Sequence, residues 1–258
     1  MTASGPPGGP PRTPAHAAGE LRAALPGLAT PGLADSVQRY FPYPVAALGV
    51  RNADVTALAH RYFTEHAFPP AARLEIAETL LAGAVHHEEV LLGFAALHKV
   101  ARGHFDAGLL DRFRHWLETY VSNWAQCDDL CLKTGYRFLL GHPELITATG
   151  DWLGSASPWA RRAANVAVVK FVHRRIGREV YELPPRTVFD RALRLAGDPD
   201  PYVRKSTGWL LKVTAHHHPG EATAFLRAHA PALGRDVLRT AVEKLPADTR
   251  GVLLAPGR

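Results

Sequence analysis

Apolar residues recur every three or four positions from about Glu20 to the end of the chain, and this period is the strongest constraint on the fold. It is the period of amphipathic α-helices, whose apolar stripe faces a core. Two sets of residues illustrate it: Leu74, Ala77, Leu81 and Ala84, then Leu91, Phe94, Ala95 and His98. No stretch alternates apolar and polar residues as a half-buried strand does. The sequence therefore predicts an all-α fold.

Capping residues indicate where many of these helices begin. Ser157-Pro158 predicts a helix that runs to about Ile176, with Gly177 after its end, and Asp200-Pro201 predicts one that ends near the histidines at 216–218. Further starts are predicted at Pro69-Pro70, His142-Pro143 and Pro184-Pro185. The result is roughly a dozen helices, in pairs that recur about every 35 to 47 residues, a spacing typical of HEAT or armadillo units. We therefore predict a curved solenoid of HEAT-like helix pairs, with a concave basic face suited to an extended anionic ligand such as duplex DNA.

Composition limits the class of protein. The chain has 258 residues, of which 47% are apolar and 21% charged, so it can bury a sizeable core. Residues 1–19 are rich in Pro, Gly and Ala without an apolar face, which predicts a flexible tail followed by a single domain over residues 20–258. The sequence has neither an apolar run of the roughly 20 residues that span a bilayer nor the pattern of a secretory signal. These features predict a cytoplasmic protein.

The charge of the chain favours an anionic partner. The formal net charge is +6, with 14 His, and the pI is about 9.5. Nucleic acid is the commonest partner of a domain with this charge. The alternative interpretation is a basic surface that is only solvated.

One predicted helix carries an indole and a carboxylate on the same face. Trp124 and Asp128 are four residues apart, so they lie one above the other. A tryptophan packed in the core beside a solvated or capping acid would give the same pattern. The sequence alone leaves both interpretations open.

Two further predicted helices carry basic side chains beside aromatic or apolar ones. In the segment 157–177, Arg162 and Lys170 belong to a basic flank, which could also be an ordinary solvated face. In the segment 198–215, Lys205, Trp209 and Lys212 share one stripe at i, i+4 and i+7. A core tryptophan with snorkelling lysines is the alternative there.

Four segments resemble, in this order, the AlkD-like DNA alkylation repair glycosylases, which are built of HEAT-like repeats. They are "RYFPYPVAALGV" (39–50), "NWAQCDDLC" (123–131), "PWARRAANVAVVKF" (158–171) and "DPYVRKSTGWLLK" (200–212). Each segment is modestly specific by itself, whereas four in order at similar spacing are strongly indicative. The resemblance covers residues from about 35 to 230.

The resemblance implies a role for individual residues. Asp128 matches the catalytic carboxylate, and Trp124 and Trp209 match the two active-site tryptophans. Five residues are expected to bind DNA. Three of them match the family's arginine, lysine and tyrosine: Arg162, Lys170 and Tyr40. The other two are the lysines beside Trp209, Lys205 and Lys212. Two departures are Asn123, where an aromatic residue sometimes stands, and a somewhat long connection between residues 162 and 209.

The chemistry of these groups suits cleavage of an N-glycosidic bond in DNA. As the base departs, positive charge develops on the deoxyribose, and a fixed carboxylate such as Asp128 stabilises it and can position water. Indole faces attract cations, and Arg and Lys neutralise phosphates without reading sequence. We therefore expect a monomeric glycosylase that releases cationic N3- or N7-alkylpurines from duplex DNA without a cofactor. The resemblance also implies tolerance of bulky adducts.

Two other classes of function remain open. One is a non-catalytic HEAT-repeat module that binds DNA or an acidic protein. The other is a metal-dependent enzyme using His86, His87 or the histidines at 216–218 with Glu88 and Glu89. Adjacent histidines point in different directions on a helix, so no metal site is expected.

The two cysteines offer no metal quartet either. Cys127 and Cys131 lie four residues apart in one predicted helix, where a disulfide does not form readily. Reduced thiols are therefore predicted.

Overall fold

The structure is a computed structural model that describes residues 12–255. Within this range it contains fourteen α-helices, several short 3₁₀ segments, one π-helical segment and one two-stranded sheet. The prediction of an all-α fold is confirmed. The chain divides after residue 99 into a first and a second compact unit. The curved solenoid with a concave basic face and the single domain over residues 20–258 stay predictions.

The first unit is a set of five helices around an apolar core. Its elements are α1 (Pro14–Ala24), a 3₁₀ turn (Pro26–Leu28), α2 (Leu33–Gln38), α3 (Asn52–Glu65), α4 (Pro70–Ala82) and α5 (His87–Ala95). Helix α4 packs against α1 and α5, and α5 packs against α3. The predicted start at Pro69-Pro70 is confirmed, with Pro70 in the first helical turn. Large side chains that are fully buried here include Leu21, Ile76, Leu80 and Phe94.

The predicted flexible tail over residues 1–19 is wrong from Pro14 onward. Pro14 opens helix α1, and the Thr13 hydroxyl caps it by accepting the His16 N–H at 3.2 Å. Ala17 and Ala18 are fully buried. The alanine side chains are too small to give a recognisable apolar stripe in the sequence, but they allow α1 to pack against α4. Residues 1–11 lie outside the described part of the chain.

A buried carboxylate holds the segment that leads into α3. Glu88 is fully buried and accepts the backbone N–H groups of Leu48, Gly49 and Val50 at 2.9, 2.8 and 3.1 Å. Gly49 has φ +80°, and a Cβ there would lie 2.9 Å from the Ala34 nitrogen. The segment therefore needs both a glycine at 49 and an acceptor at 88, because buried N–H groups are costly to leave unpaired.

We expect Glu88→Gln to lower the free energy of unfolding by about 2 to 3 kcal/mol. The amide keeps one acceptor oxygen but turns an NH₂ group toward backbone donors, so at least one buried N–H loses its partner. Urea denaturation monitored by circular dichroism measures the change. Glu75→Gln, at an exposed position on α4, is the matched control. Equal stability of the two variants would show that the carboxylate is not needed to hold this segment.

The second unit contains the remaining nine α-helices of the described chain. They are α6 (Gly108–Thr119), α7 (Trp124–Asp129), α8 (Tyr136–Gly141), α9 (Pro158–Val166), α10 (Pro185–Arg194), α11 (Pro201–His217), α12 (Pro219–His229), α13 (Arg235–Ala241) and α14 (Ala247–Leu254). A π-helical segment (Leu130–Gly135) joins α7 to α8. Short 3₁₀ segments cover Pro143–Leu145, Thr147–Gly154, Val169–Phe171 and Val242–Lys244.

Helix α11 is the centre of the second unit and packs against α9, α10, α12 and α13. Its predicted start is confirmed: the Asp200 side chain accepts the N–H groups of Tyr202 and Val203, and Pro201 stands in the first turn. Gly208 permits the close approach of α13, because a Cβ there would lie 2.9 Å from that of Thr240. The start predicted at Pro184-Pro185 is also confirmed.

The helix predicted from residue 158 to 176 ends ten residues early, at Val166. After a 3₁₀ turn the chain forms a hairpin, β1 (Arg174–Ile176) with β2 (Glu179–Tyr181), which the sequence analysis did not predict. Gly177, predicted to follow a helix end, lies in the hairpin turn with φ +64°. Several β-branched residues in this stretch lower its helix propensity, and the glycine permits the turn. His142-Pro143 begins a 3₁₀ segment instead of an α-helix.

Between residues 12 and 255, none of the helices combines the length and the apolar composition needed to cross a bilayer.

Candidate active site

Asp128 and Arg162 form a bidentate ion pair between α7 and α9. Arg162 Nε donates to Oδ1 of Asp128 at 2.8 Å, and Nη2 donates to Oδ2 at 2.7 Å. The Asp128 side chain is only 15% exposed, and the Arg162 side chain only 7%. Two parallel bonds fix the plane of the carboxylate, because the guanidinium is a rigid fork.

Local capping places Asp128 on a short helix that starts at Trp124. The Asn123 side chain accepts the Gln126 N–H at 3.0 Å, and the Gln126 side chain accepts the Ser122 N–H at 2.9 Å. Asn123, which departs from the family pattern, is thus the N-cap of α7. Trp124 and Asp128 lie one turn apart on this helix, and both are partly exposed.

A third element, the first turn of α11, reaches the ion pair. Arg162 Nη1 donates to the backbone oxygen of Tyr202 at 2.7 Å. The Tyr202 ring lies 5.8 Å from the Trp159 ring, and the Lys205 ammonium lies 5.1 Å from the centre of the Tyr202 ring. The sequence analysis did not single out Tyr202 or Trp159 as site residues. One available signal was that each directly follows the proline in the first turn of its helix.

The electrostatics of the pair reflect its removal from water. Burial raises the pKa of Asp128 above its ordinary value, and the hydrogen bonds and charge of Arg162 offset part of that rise. Burial acts to lower the pKa of Arg162, but the ion pair outweighs it and leaves that pKa raised. The arrangement therefore places a carboxylate in a poorly solvated position, where Arg162 favours its ionised form.

Two thiols lie beside this carboxylate. Cys127 Sγ donates to the backbone oxygen of Trp159 at 3.4 Å, which ties α7 to the start of α9. Cys131 is buried, and burial, followed by the Cys127 thiol, raises its pKa well above the usual range. Both cysteines are free in the structure, as predicted.

Lys170 contacts the chain just after α7. Its ammonium donates to the Leu132 backbone oxygen at 3.0 Å and lies 4.5 Å from the centre of the Tyr136 ring. Arg174 lies 5.3 Å from the same ring. Burial and then the charge of Arg174 lower the pKa of Lys170. Two cations therefore share one aromatic ring, an arrangement that an anion would stabilise.

The other three residues singled out in the sequence lie in two places, on α11 and after α2. Trp209 is partly exposed on α11, one turn after Lys205. Lys212, on the same helix, pairs with Glu243 at 3.0 Å. Tyr40 belongs to the first unit, follows α2, and is 71% exposed. Direct contacts thus join Asp128 to Arg162, whereas Lys170 and Lys205 contact neighbouring aromatic rings.

The histidines considered as metal ligands have other contacts. His86 caps α5 and its Nδ1 lies 3.4 Å from Glu89 Oε1, while His217 stacks on His173 at 4.9 Å. In the part of the chain that the structure describes, no cluster of three or more His, Cys, Asp or Glu is arranged to hold a metal ion.

Comparisons with known proteins extend this description. The profile of a family described as "DNA alkylation repair enzyme" matches residues 21–245. A solved structure described as "Predicted DNA alkylation repair enzyme from Enterococcus faecalis" superposes with a TM-score of 0.72 at 13% identity, covering 85% of this chain and 97% of that chain. At this identity the likeness shows a shared fold. No curated protein has a significant sequence match to the chain.

Proposed function

The chain belongs to the DNA alkylation repair enzyme family, and from this membership we propose that it is a DNA glycosylase. In this proposal it hydrolyses the N-glycosidic bond of cationic N3- or N7-alkylpurines in duplex DNA and needs no cofactor. The observation that carries the proposal is the bidentate pair of Asp128 with Arg162, a carboxylate fixed in a poorly solvated position.

A fixed carboxylate can lower the barrier to base loss. The bond between C1′ and the base nitrogen breaks heterolytically, so the sugar acquires positive charge as the base departs. An anion held in place stabilises that charge without the reorganisation that water would require. Arg162 favours the ionised form of Asp128 and fixes its orientation, and the exposed fraction of the carboxylate can face the sugar. The same oxygen atoms can orient the water that attacks C1′.

Aromatic side chains supply the second part of the proposed site. Trp124 stands one turn before Asp128, and Trp209 lies on α11; both are partly exposed. An indole face attracts a cation by about 0.5 to 2 kcal/mol, depending on desolvation. We assign these two tryptophans to contact with the cationic nucleoside. Tyr202 and Trp159 extend the aromatic surface beside Arg162.

In this proposal, basic side chains and one tyrosine supply the contacts with the DNA backbone. We assign this role to Lys170, Lys205, Lys212 and Tyr40, and in part to Arg162. A guanidinium has five N–H donors, and Arg162 uses three of them on Asp128 and Tyr202. Its remaining donors are those that could reach a phosphate oxygen.

We expect Lys170→Ala and Lys205→Ala each to weaken binding to any duplex sequence and to reduce the salt dependence. Each lost phosphate contact lowers the slope of log K against log salt concentration by about 0.9. Fluorescence anisotropy at several salt concentrations measures both quantities. Lys244→Ala, at an exposed position outside the assigned set, is the control and should leave the slope unchanged. Unchanged slopes for both test variants would show that the DNA-binding surface lies elsewhere on the protein.

The direct test of the proposed function is release of free base. The protein is incubated with duplexes that carry one N3-alkyladenine or N7-alkylguanine, and the released base is quantified by chromatography and mass spectrometry. We expect release with each lesion, without added metal. Specific binding of these duplexes without release would favour the alternative, a non-catalytic DNA-binding module.

A further inference from the structure

A second buried ion pair lies immediately beside the first. Arg161 Nε donates to Oδ2 of Asp198 at 2.6 Å, and Nη2 donates to Oδ1 at 3.1 Å. The two side chains are 16% and 5% exposed, respectively. Asp198 also accepts the backbone N–H of Asp200 at 2.9 Å. Its carboxylate is thus enclosed by three donors, as a buried charge requires.

This pair joins the start of α9 to the turn before α11. Arg161 Nη1 donates to the backbone oxygens of Ser155 and Ala156, both at 2.9 Å. On the other side, Asp198 anchors Asp200, which caps the first turn of α11 through the N–H groups of Tyr202 and Val203. That first turn carries the Tyr202 backbone oxygen, which accepts Nη1 of Arg162.

Two consecutive arginines of α9 therefore bind the chain at the start of α11. Arg161 binds the Asp198 carboxylate, and Arg162 binds the Tyr202 backbone oxygen. We propose that Asp198 and Arg161 are positioning residues that fix the Tyr202 backbone oxygen and, through Arg162, the orientation of the Asp128 carboxylate. The positioning is a property of the folded protein. Its consequence for catalysis rests on the proposed glycosylase function.

The physical reason is that a guanidinium held at three points has less freedom than one held at two. In Asp198→Asn the side chain can accept only through one oxygen, and its NH₂ group meets the donors of Arg161. The turn then loses its anchor, the Tyr202 oxygen moves, and Arg162 holds Asp128 less firmly. Removing one partner of a buried pair also leaves an uncompensated charge, which drives such a rearrangement.

Asp128 itself reports the change, because its ionisation depends on Arg162. The charged and titratable groups that act on this carboxylate are Arg162 from α9 and Asp129 from its own helix, with the thiols of Cys127 and Cys131 close by. Burial raises the pKa of Asp128 and Arg162 opposes the rise. A looser Arg162 therefore moves the titration of Asp128 to higher pH.

The experiment is a carboxyl titration by ¹³C NMR on the full chain with labelled aspartate. Asp128→Asn assigns the Asp128 resonance. We expect Asp198→Asn to raise the Asp128 midpoint by about half a pH unit or more, since weaker pairing favours the neutral form. The control, Asp54→Asn, removes an aspartate of the first unit that pairs with Arg51 at 2.8 Å, and it should leave the midpoint unchanged.

An unchanged Asp128 midpoint in Asp198→Asn would overturn the proposal. If that variant does not fold, Arg161→Lys takes its place, because it keeps the charge and removes the bidentate fork; the same criterion applies. The pH profile of base release provides a second measurement. We expect its acid limb to move to higher pH together with the titration. Base release by the variant could instead slow only as much as its loss of thermal stability explains, with no shift in the acid limb of the pH profile. That result would show that the Arg161–Asp198 pair is merely structural.

The two hypotheses fail in different ways. Absence of base release by the wild-type protein would overturn the proposed function and would leave the NMR result standing. Normal base release with an unmoved Asp128 titration in the variant would overturn the positioning role alone.

Discussion

Asp128→Asn is expected to slow base release several hundredfold or more while leaving the affinity for DNA nearly unchanged. The substitution removes the negative charge that opposes the developing sugar cation, and preorganised electrostatic groups of this kind contribute about 3 to 4 kcal/mol to a transition state. Affinity is retained because the carboxylate repels phosphates and contributes no contact to them. Single-turnover release of N7-alkylguanine and anisotropy with the same duplex measure the two quantities.

The control for this variant is Asp111→Asn, an aspartate exposed on α6. It should release base at the wild-type rate. Since Arg162 stays in place and loses its buried partner, thermal unfolding is measured first, and rates are compared at a temperature where both variants are folded. A wild-type rate in Asp128→Asn would end the assignment of this carboxylate.

The second large effect concerns which bases can leave. We expect release of cationic N3- and N7-alkylpurines and no detectable release of uracil or hypoxanthine from otherwise identical duplexes. An alkylated purine already carries positive charge and departs as a neutral molecule. Uracil and hypoxanthine would depart as anions unless a general acid protonated them, and such an acid contributes about 10² to 10⁴-fold in rate.

Among the described residues, Arg162 and the Cys131 thiol lie near Asp128, and both are poor proton donors. Arg162 stays protonated, because its ion pair with Asp128 raises its pKa, and burial raises the pKa of the Cys131 thiol. At Asp128, burial raises the pKa, but two hydrogen bonds from the Arg162 guanidinium favour the ionised form. Free base released from each duplex is quantified under the same conditions. Efficient excision of either neutral base would contradict the mechanism proposed for Asp128.

Local features of the sequence were enough to predict the helical class and several helix starts. Pro69-Pro70, Pro184-Pro185 and Asp200-Pro201 begin helices in the structure as predicted. Trp124 and Asp128 also lie on one short helix. Capping and helical period depend on residues within a few positions of each other, so they can be read without knowledge of the tertiary contacts.

Local features misled where distant contacts decide the conformation. The segment at 14–19 looked like a tail because its apolar residues are alanines, yet packing within the first unit buries Ala17 and Ala18 completely. The hairpin of β1 and β2 replaced the end of a predicted helix. Both errors concern weak local preferences, and tertiary packing overrides such preferences.

Part of the candidate site follows from the sequence, and the rest depends on the tertiary structure. The sequence supplied the residue types and, through resemblance, matched Asp128 and Arg162 to a catalytic carboxylate and an active-site arginine. Only the tertiary structure showed that these residues, 34 positions apart, form a bidentate pair and that Arg162 also binds the Tyr202 backbone oxygen, 40 positions further on. A backbone oxygen is present at every residue and gives no signal in the sequence. Arg162 reaches the Tyr202 backbone oxygen because α9 packs against α11. That packing depends on the burial of side chains far apart in the chain.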